Sequence, residues 1–72
     1  MMDMVEVFKT NVQEVDASKI LTKKLLEHSQ ADKISFDLED CDKVLRVEGR
    51  CVLPEQIIDL VTSFGYQCEV LV

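Results

Sequence analysis

Glycine and proline are scarce here: the 72 residues include two glycines and one proline. Linkers and disordered tails are rich in such residues, so the composition predicts a chain folded along its whole length. Long apolar runs are also missing. None approaches the roughly 20 residues that a helix needs to cross a bilayer. The opening Met1-Met2-Asp3-Met4 lacks both the basic and the apolar stretch of a secretory signal. Basic residues are few and scattered, eight Lys and Arg against fourteen Asp and Glu, for a net charge of -6. Nucleic-acid binding rests on clustered cations that displace phosphate counterions, and an anionic membrane surface asks for the same. Neither partner is expected. No Gly-rich phosphate loop, Ser-His-Asp set or Cys-x-x-Cys redox motif is present, so an enzyme is not expected either. The three cysteines are an odd and sparse set. The simplest expectation is reduced thiols in a cytoplasm.

What remains is an ordinary globular composition, 47% hydrophobic and 31% charged. The length predicts a single domain, residues 1–72, that buries only about 60–65% of its unfolded surface and is modestly stable. Val5 to Val12 is rich in β-branched and aromatic residues and reads as a strand. Val5 and Val7 alternate with Glu6, while Phe8 breaks the alternation and leaves its own face open. Asp16 is a plausible N-cap for a helix from Ala17 to Ser29. On that helix Ala17, Leu21, Leu25 and His28 form a stripe with Ile20 beside it, and Ser18, Lys19, Thr22 and Lys23 are polar opposite. Lys33 to Glu39 alternates as a half-buried strand with Ile34, Phe36 and Leu38 on one face. Asp40-Cys41-Asp42 is a turn signal. Val44 to Val52 continues as a strand, with Leu45, Val47 and Cys51 facing one way and Arg46, Glu48 and Arg50 the other. Pro54 suits the first turn of a second helix, whose stripe is Ile57, Leu60, Val61 and Phe64. Gly65 is its stop, and Tyr66 to Val72 is a last strand.

Two helices with single apolar stripes must cover one face of a four-stranded sheet. The predicted class is therefore α+β: a ferredoxin-like β-α-β-β-α-β two-layer sandwich, antiparallel, in strand order 4-1-3-2.

Three segments carry a resemblance. Val7-Phe8-Lys9-Thr10-Asn11-Val12 resembles the opening strand of small bacterial heavy-metal-associated domains. Asp42 to Gly49 resembles their third strand, and Phe64-Gly65-Tyr66-Gln67-Cys68-Glu69 their helix-to-strand ending. The similarity spans about residues 5–71 and implies the same fold. That family holds soft metal ions with a Cys-x-x-Cys pair in the first loop, matching soft ligand to soft ion. Counted from Lys9-Thr10-Asn11, the two positions fall on Glu14 and Ala17. The resemblance thus implies a degenerate member without the metal motif, and no cofactor or metal is expected.

Other ligand sets are thinner. Cys41 and Cys68 fall at the same end as the first loop and form an alternative, relocated thiol site; the plainer reading is one thiol in a turn and one small core residue. Cys51 with His28 offers two ligands where zinc takes three or four. Glu39, Asp40 and Asp42 flank Cys41 and suit a hard cation or simply a solvated tip. Acylphosphatases share the topology but need an anion-binding arginine in the first loop, whereas Gln13-Glu14-Val15-Asp16 is acidic. The expected role is a non-enzymatic interaction module, binding an unknown protein partner or itself through the open sheet face or an edge strand. The remaining alternative is a small-molecule regulatory module.

Overall fold

The computed structural model describes residues 3–71. Met1, Met2 and Val72, part of the expected N-terminal segment and last strand, lie outside them. The elements are β1 (Met4–Thr10), α1 (Val15–His28), β2 (Lys33–Asp37), β3 (Val44–Gly49), α2 (Pro54–Ser63) and β4 (Cys68–Val70). The sheet runs β2-β3-β1-β4 with every neighbour antiparallel, which is the expected 4-1-3-2 order read from the other edge. Both helices lie on one face. Leu25 from α1 and Ile57 and Val61 from α2 join Phe8, Leu45 and Val47 of the sheet in one buried cluster.

Register settles the face that the sequence left open on β1. Phe8 pairs with Leu45, and cross-strand partners point the same way, so Phe8 faces the helices and is fully buried. Val5 and Val7 therefore point to the open face, opposite Glu48 and Arg46. That face is less polar than the hairpin alone implied. Ser35, Asp37 and Arg46 are exposed on it, but Val5 is also 50% exposed there. β1 ends at Thr10, and Val12 plugs the core from the following loop.

The first helix differs from expectation in start and in phase. It begins at Val15, with Glu14 rather than Asp16 at the N-cap and no side-chain cap hydrogen bond. Asp16 instead sits in the first turn, where a carboxylate opposes the positive end of the helix dipole. The buried stripe is Ser18, Leu21 and Leu25, while Ala17 is half-buried and Ile20 and His28 are exposed. Ser18 can face inward because its hydroxyl donates to the Val15 carbonyl at 2.7 Å, so no polar atom is left unpaired.

β3 stops at Gly49, three residues short of the expected end. The backbone of Gln30, Ala31 and Asp32 crosses directly over Gly49: a Cβ there would lie 3.0 Å from the Gln30 carbonyl oxygen and 3.1 Å from the Ala31 Cα. The strand period breaks, Val52 rather than Cys51 turns inward, and Cys51 is exposed. In α2, Pro54 occupies the first turn, and Ile57 and Val61 are buried. Phe64 lies just past the helix end, and it is 42% exposed instead of joining the core. Gly65 has φ +91°, which L side chains rarely adopt and glycine tolerates.

Candidate functional site

The β1–α1 loop, the β2–β3 turn and the lead-in to β4 meet at one end of the sandwich, as the topology implied. Thr10 fastens them. Its backbone N–H donates to the Asp42 carbonyl at 3.1 Å, and its hydroxyl donates to the Lys43 carbonyl at 2.6 Å. The same hydroxyl accepts from the Val12 N–H at 3.2 Å. On the other side, the Gln67 N–H donates to the Asn11 side-chain oxygen at 2.7 Å. Three segments distant in sequence are thus held together, the β2–β3 turn by a half-buried hydrogen bond and the lead-in to β4 by an exposed one.

Glu14 and Ala17 sit at this end, at the start of α1. With Asp16, Ile20, Leu21, Phe64 and Tyr66 they line a cleft of about 270 Å³. Ala17, Ile20 and Leu21 line it with aliphatic side chains, Phe64 and Tyr66 with aromatic ones, and both of its charged side chains are carboxylates. Ala17 offers no ligand atom, and the carboxylates are hard ligands rather than soft ones. The cleft residues Ile20, Phe64 and Tyr66 were not legible as a site. Ile20 adjoined the core stripe and Phe64 continued one, and only the tertiary fold turns both outward beside Tyr66.

The β2–β3 turn is rigidly folded. Asp40 Oδ1 accepts from the Asp42 N–H at 2.9 Å, and the Asp40 carbonyl accepts from the Lys43 N–H at 3.0 Å. Lys43 takes φ +46°, and its ammonium donates to the Leu38 carbonyl at 3.0 Å. Donor atoms of Asp40, Cys41 and Asp42 lie within 4.8 Å of one another, and Lys9 Nζ approaches Asp42 at 3.9 Å. Among the described residues this is the set of three or more close ligand atoms; Glu39, Cys68, Cys51 and His28 do not belong to it.

Cys41 and Cys68 share this end but not its environment. Cys41 is exposed at the turn. Cys68 pairs with Thr10 on the inward face and packs against the core. Burial, helped by the neighbouring Glu69 carboxylate, pushes its thiol from an ordinary 9.0 up to about 11. The proton that a metal must displace is therefore held tightly. At the opposite end His28 and Cys51 are both exposed, and the backbone carbonyl of His28 accepts from Gln56 Nε2 at 3.1 Å.

A wider depression of about 930 Å³ runs beside α2, lined by Leu53, Pro54, Gln56, Asp59 and Leu60 among others. All of its walls come from residues 53–63, so no second element closes over a ligand. Among the described residues no helix is long and apolar enough to cross a membrane.

No protein-family model matches the chain, and no curated protein matches its sequence. A solved structure does match in shape: the crystal structure of oxidized MerP from Ralstonia metallidurans CH34, with a TM-score of 0.76. The match covers 96% of this chain and 97% of that one, at 10% sequence identity. This chain shares the fold of MerP. At that identity the likeness concerns the backbone arrangement alone. It agrees with the architecture that the heavy-metal-associated resemblance implied.

Proposed function

We propose that this domain is a non-enzymatic interaction module that uses the loop end of a heavy-metal-associated-type scaffold to bind a protein instead of a metal. One observation carries the reading. Glu14 and Ala17, the positions on which the resemblance places that family's thiolates, line a cleft with Ile20, Phe64 and Tyr66. Exposed aromatic and aliphatic side chains beside carboxylates are groups that a protein partner can cover. Phe64 is 42% and Ile20 57% exposed, so both are open to a partner. The net charge of -6 disfavours nucleic acid and anionic lipid as the partner. A cleft of about 270 Å³ also falls below the range of roughly 300–1,000 Å³ typical of small-molecule sites. Three free cysteines fit a reducing compartment, and the cytoplasm is the location we propose.

A second reading keeps metal binding at this end through Cys41 and Cys68. Thr10 favours it, since it pairs with Cys68 and bonds to Lys43, two residues from Cys41. The raised Cys68 thiol weighs against it. Copper titration of the reduced protein, beside Glu14→Cys/Ala17→Cys, separates the two. On the interaction reading the wild type yields Cu(I) at once to a competing chelator, and the double variant holds one equivalent. Tight stoichiometric binding by the wild type, abolished by Cys41→Ser or Cys68→Ser, refutes that reading and establishes the relocated site.

A further inference from the structure

We infer that the cleft between the start of α1 and Phe64/Tyr66 receives an arginine side chain presented by a protein partner. The inference deepens the interaction reading above and rests on it. The volume, about 270 Å³, suits one long side chain better than a whole ligand. Charge sets the sign of the guest. Glu14 and Asp16 both line the cleft, and no lysine or arginine does. Two carboxylates outweigh the roughly half positive charge at a helix N-terminus, so the entrance attracts a cation. Two cations that fall near this end have other partners: Lys43 Nζ donates to the Leu38 carbonyl, and Lys9 Nζ lies 3.9 Å from Asp42. Lys19, three residues after Asp16 on α1, does not line the cleft, so the two carboxylates set the sign of its lining.

Shape selects among cations. Ala17, Ile20 and Leu21 offer an apolar bed for a methylene stem, while Phe64 and Tyr66 offer rings. A guanidinium is planar and weakly hydrated. It forks onto carboxylates and stacks on aromatic faces, whereas an ammonium keeps its water and acts as a point charge. A site that joins two carboxylates to two rings therefore fits arginine best. Glu14 is the N-cap and makes no side-chain capping hydrogen bond, so its carboxylate is free for the guest.

The test is a titration of the 15N-labelled protein, followed by backbone amide shifts, with three blocked amino acids as probes. These are N-acetyl-arginine amide, its neutral analogue N-acetyl-citrulline amide, and N-acetyl-lysine amide. The expected result is saturable shifts at Asp16, Ile20, Phe64 and Tyr66 with the arginine probe. Binding should be at least tenfold weaker for citrulline, and weaker for lysine. Glu14→Gln/Asp16→Asn, with core amides such as Phe8 and Leu45 unshifted, should lose the response. Equal binding of citrulline, shifts confined to Asp40–Asp42, or no saturation with arginine would overturn the inference. Equal binding of lysine would overturn the guanidinium assignment. The copper titration keeps the two failures distinct. No arginine binding together with no copper retention removes this inference alone. Copper retention by the wild type removes the interaction reading and this inference with it.

Discussion

Leu25 and Leu26 are neighbours in α1 with opposite fates, and replacing each by alanine tests the packing directly. Leu25 is fully buried against Phe8, Leu45, Val47, Ile57 and Val61, while Leu26 is 42% exposed. Leu25→Ala removes three carbons from the core, a transfer loss of roughly 2.4 kcal/mol at about 0.8 per carbon. A residual cavity adds to that, because both helices and the sheet meet there and none can close in alone. The total should be about 3–4 kcal/mol, within the span measured for such truncations. A 72-residue domain has only about 4–11 kcal/mol of stability to lose. With a urea slope near 1 kcal/mol per molar, the unfolding midpoint should fall by about 3–4 M. Leu26→Ala removes the same atoms from a half-wet position and gains helix propensity, so it should cost under about 1 kcal/mol. Urea melts followed by far-UV circular dichroism measure both. Equal costs, or a loss below about 1 kcal/mol for Leu25→Ala, would refute the assigned phase of the helix.

Other outcomes follow from single contacts. Thr10→Val keeps the side-chain shape but removes the hydroxyl that serves the Lys43 carbonyl and the Val12 N–H, so it should cost about 1–3 kcal/mol in denaturant melts. Gly49→Ala places a Cβ 3.0–3.2 Å from three backbone atoms of residues 30–32, none of which can swing aside, and should destabilise by about 1–3 kcal/mol. At pH 8, Cys68, its thiol pushed up to about 11, should alkylate with iodoacetamide on the order of 100-fold slower than a thiol of ordinary acidity, as read by mass spectrometry. Its folded-state value lies above the unfolded one, so the native state holds the extra proton between them. The stabilisation is complete below about pH 9 and lost as pH rises through about 11. A Cys68→Ala variant should lack that decline.

Much of the architecture was present in the order of residues. Period-two alternation in Lys33–Asp37 and Val44–Gly49 and the stripes of Leu21/Leu25 and Ile57/Val61 mark strands and helices. Short connections leave such elements few ways to bury their apolar sides, and the antiparallel two-layer sandwich is the one they form. Pro54 and Gly65 punctuate the second helix through their own backbone geometry, which needs no tertiary partner. That Glu14 and Ala17, and no cysteine, stand at the start of the first helix was likewise readable, because side-chain identity at a counted position is a local fact.

Tertiary structure decided what depends on neighbours distant in the chain. The face of Phe8 follows from its register with Leu45, 37 positions away by number, and no local period encodes it. Cys51 left the core because the Gln30–Asp32 backbone crosses Gly49 and ends the strand before the alternation reaches it. Ser18 entered the core because one hydrogen bond to Val15 removed the cost of burying its hydroxyl. The cleft likewise depends on distant neighbours. Glu14, Ile20, Phe64 and Tyr66 come from two ends of the chain. Each alone reads as a cap, a flanking aliphatic or the tail of a stripe. They become one surface only when the sheet places the start of α1 beside the exit of α2, since convergence of separate segments is a property of the packed chain and not of any window within it.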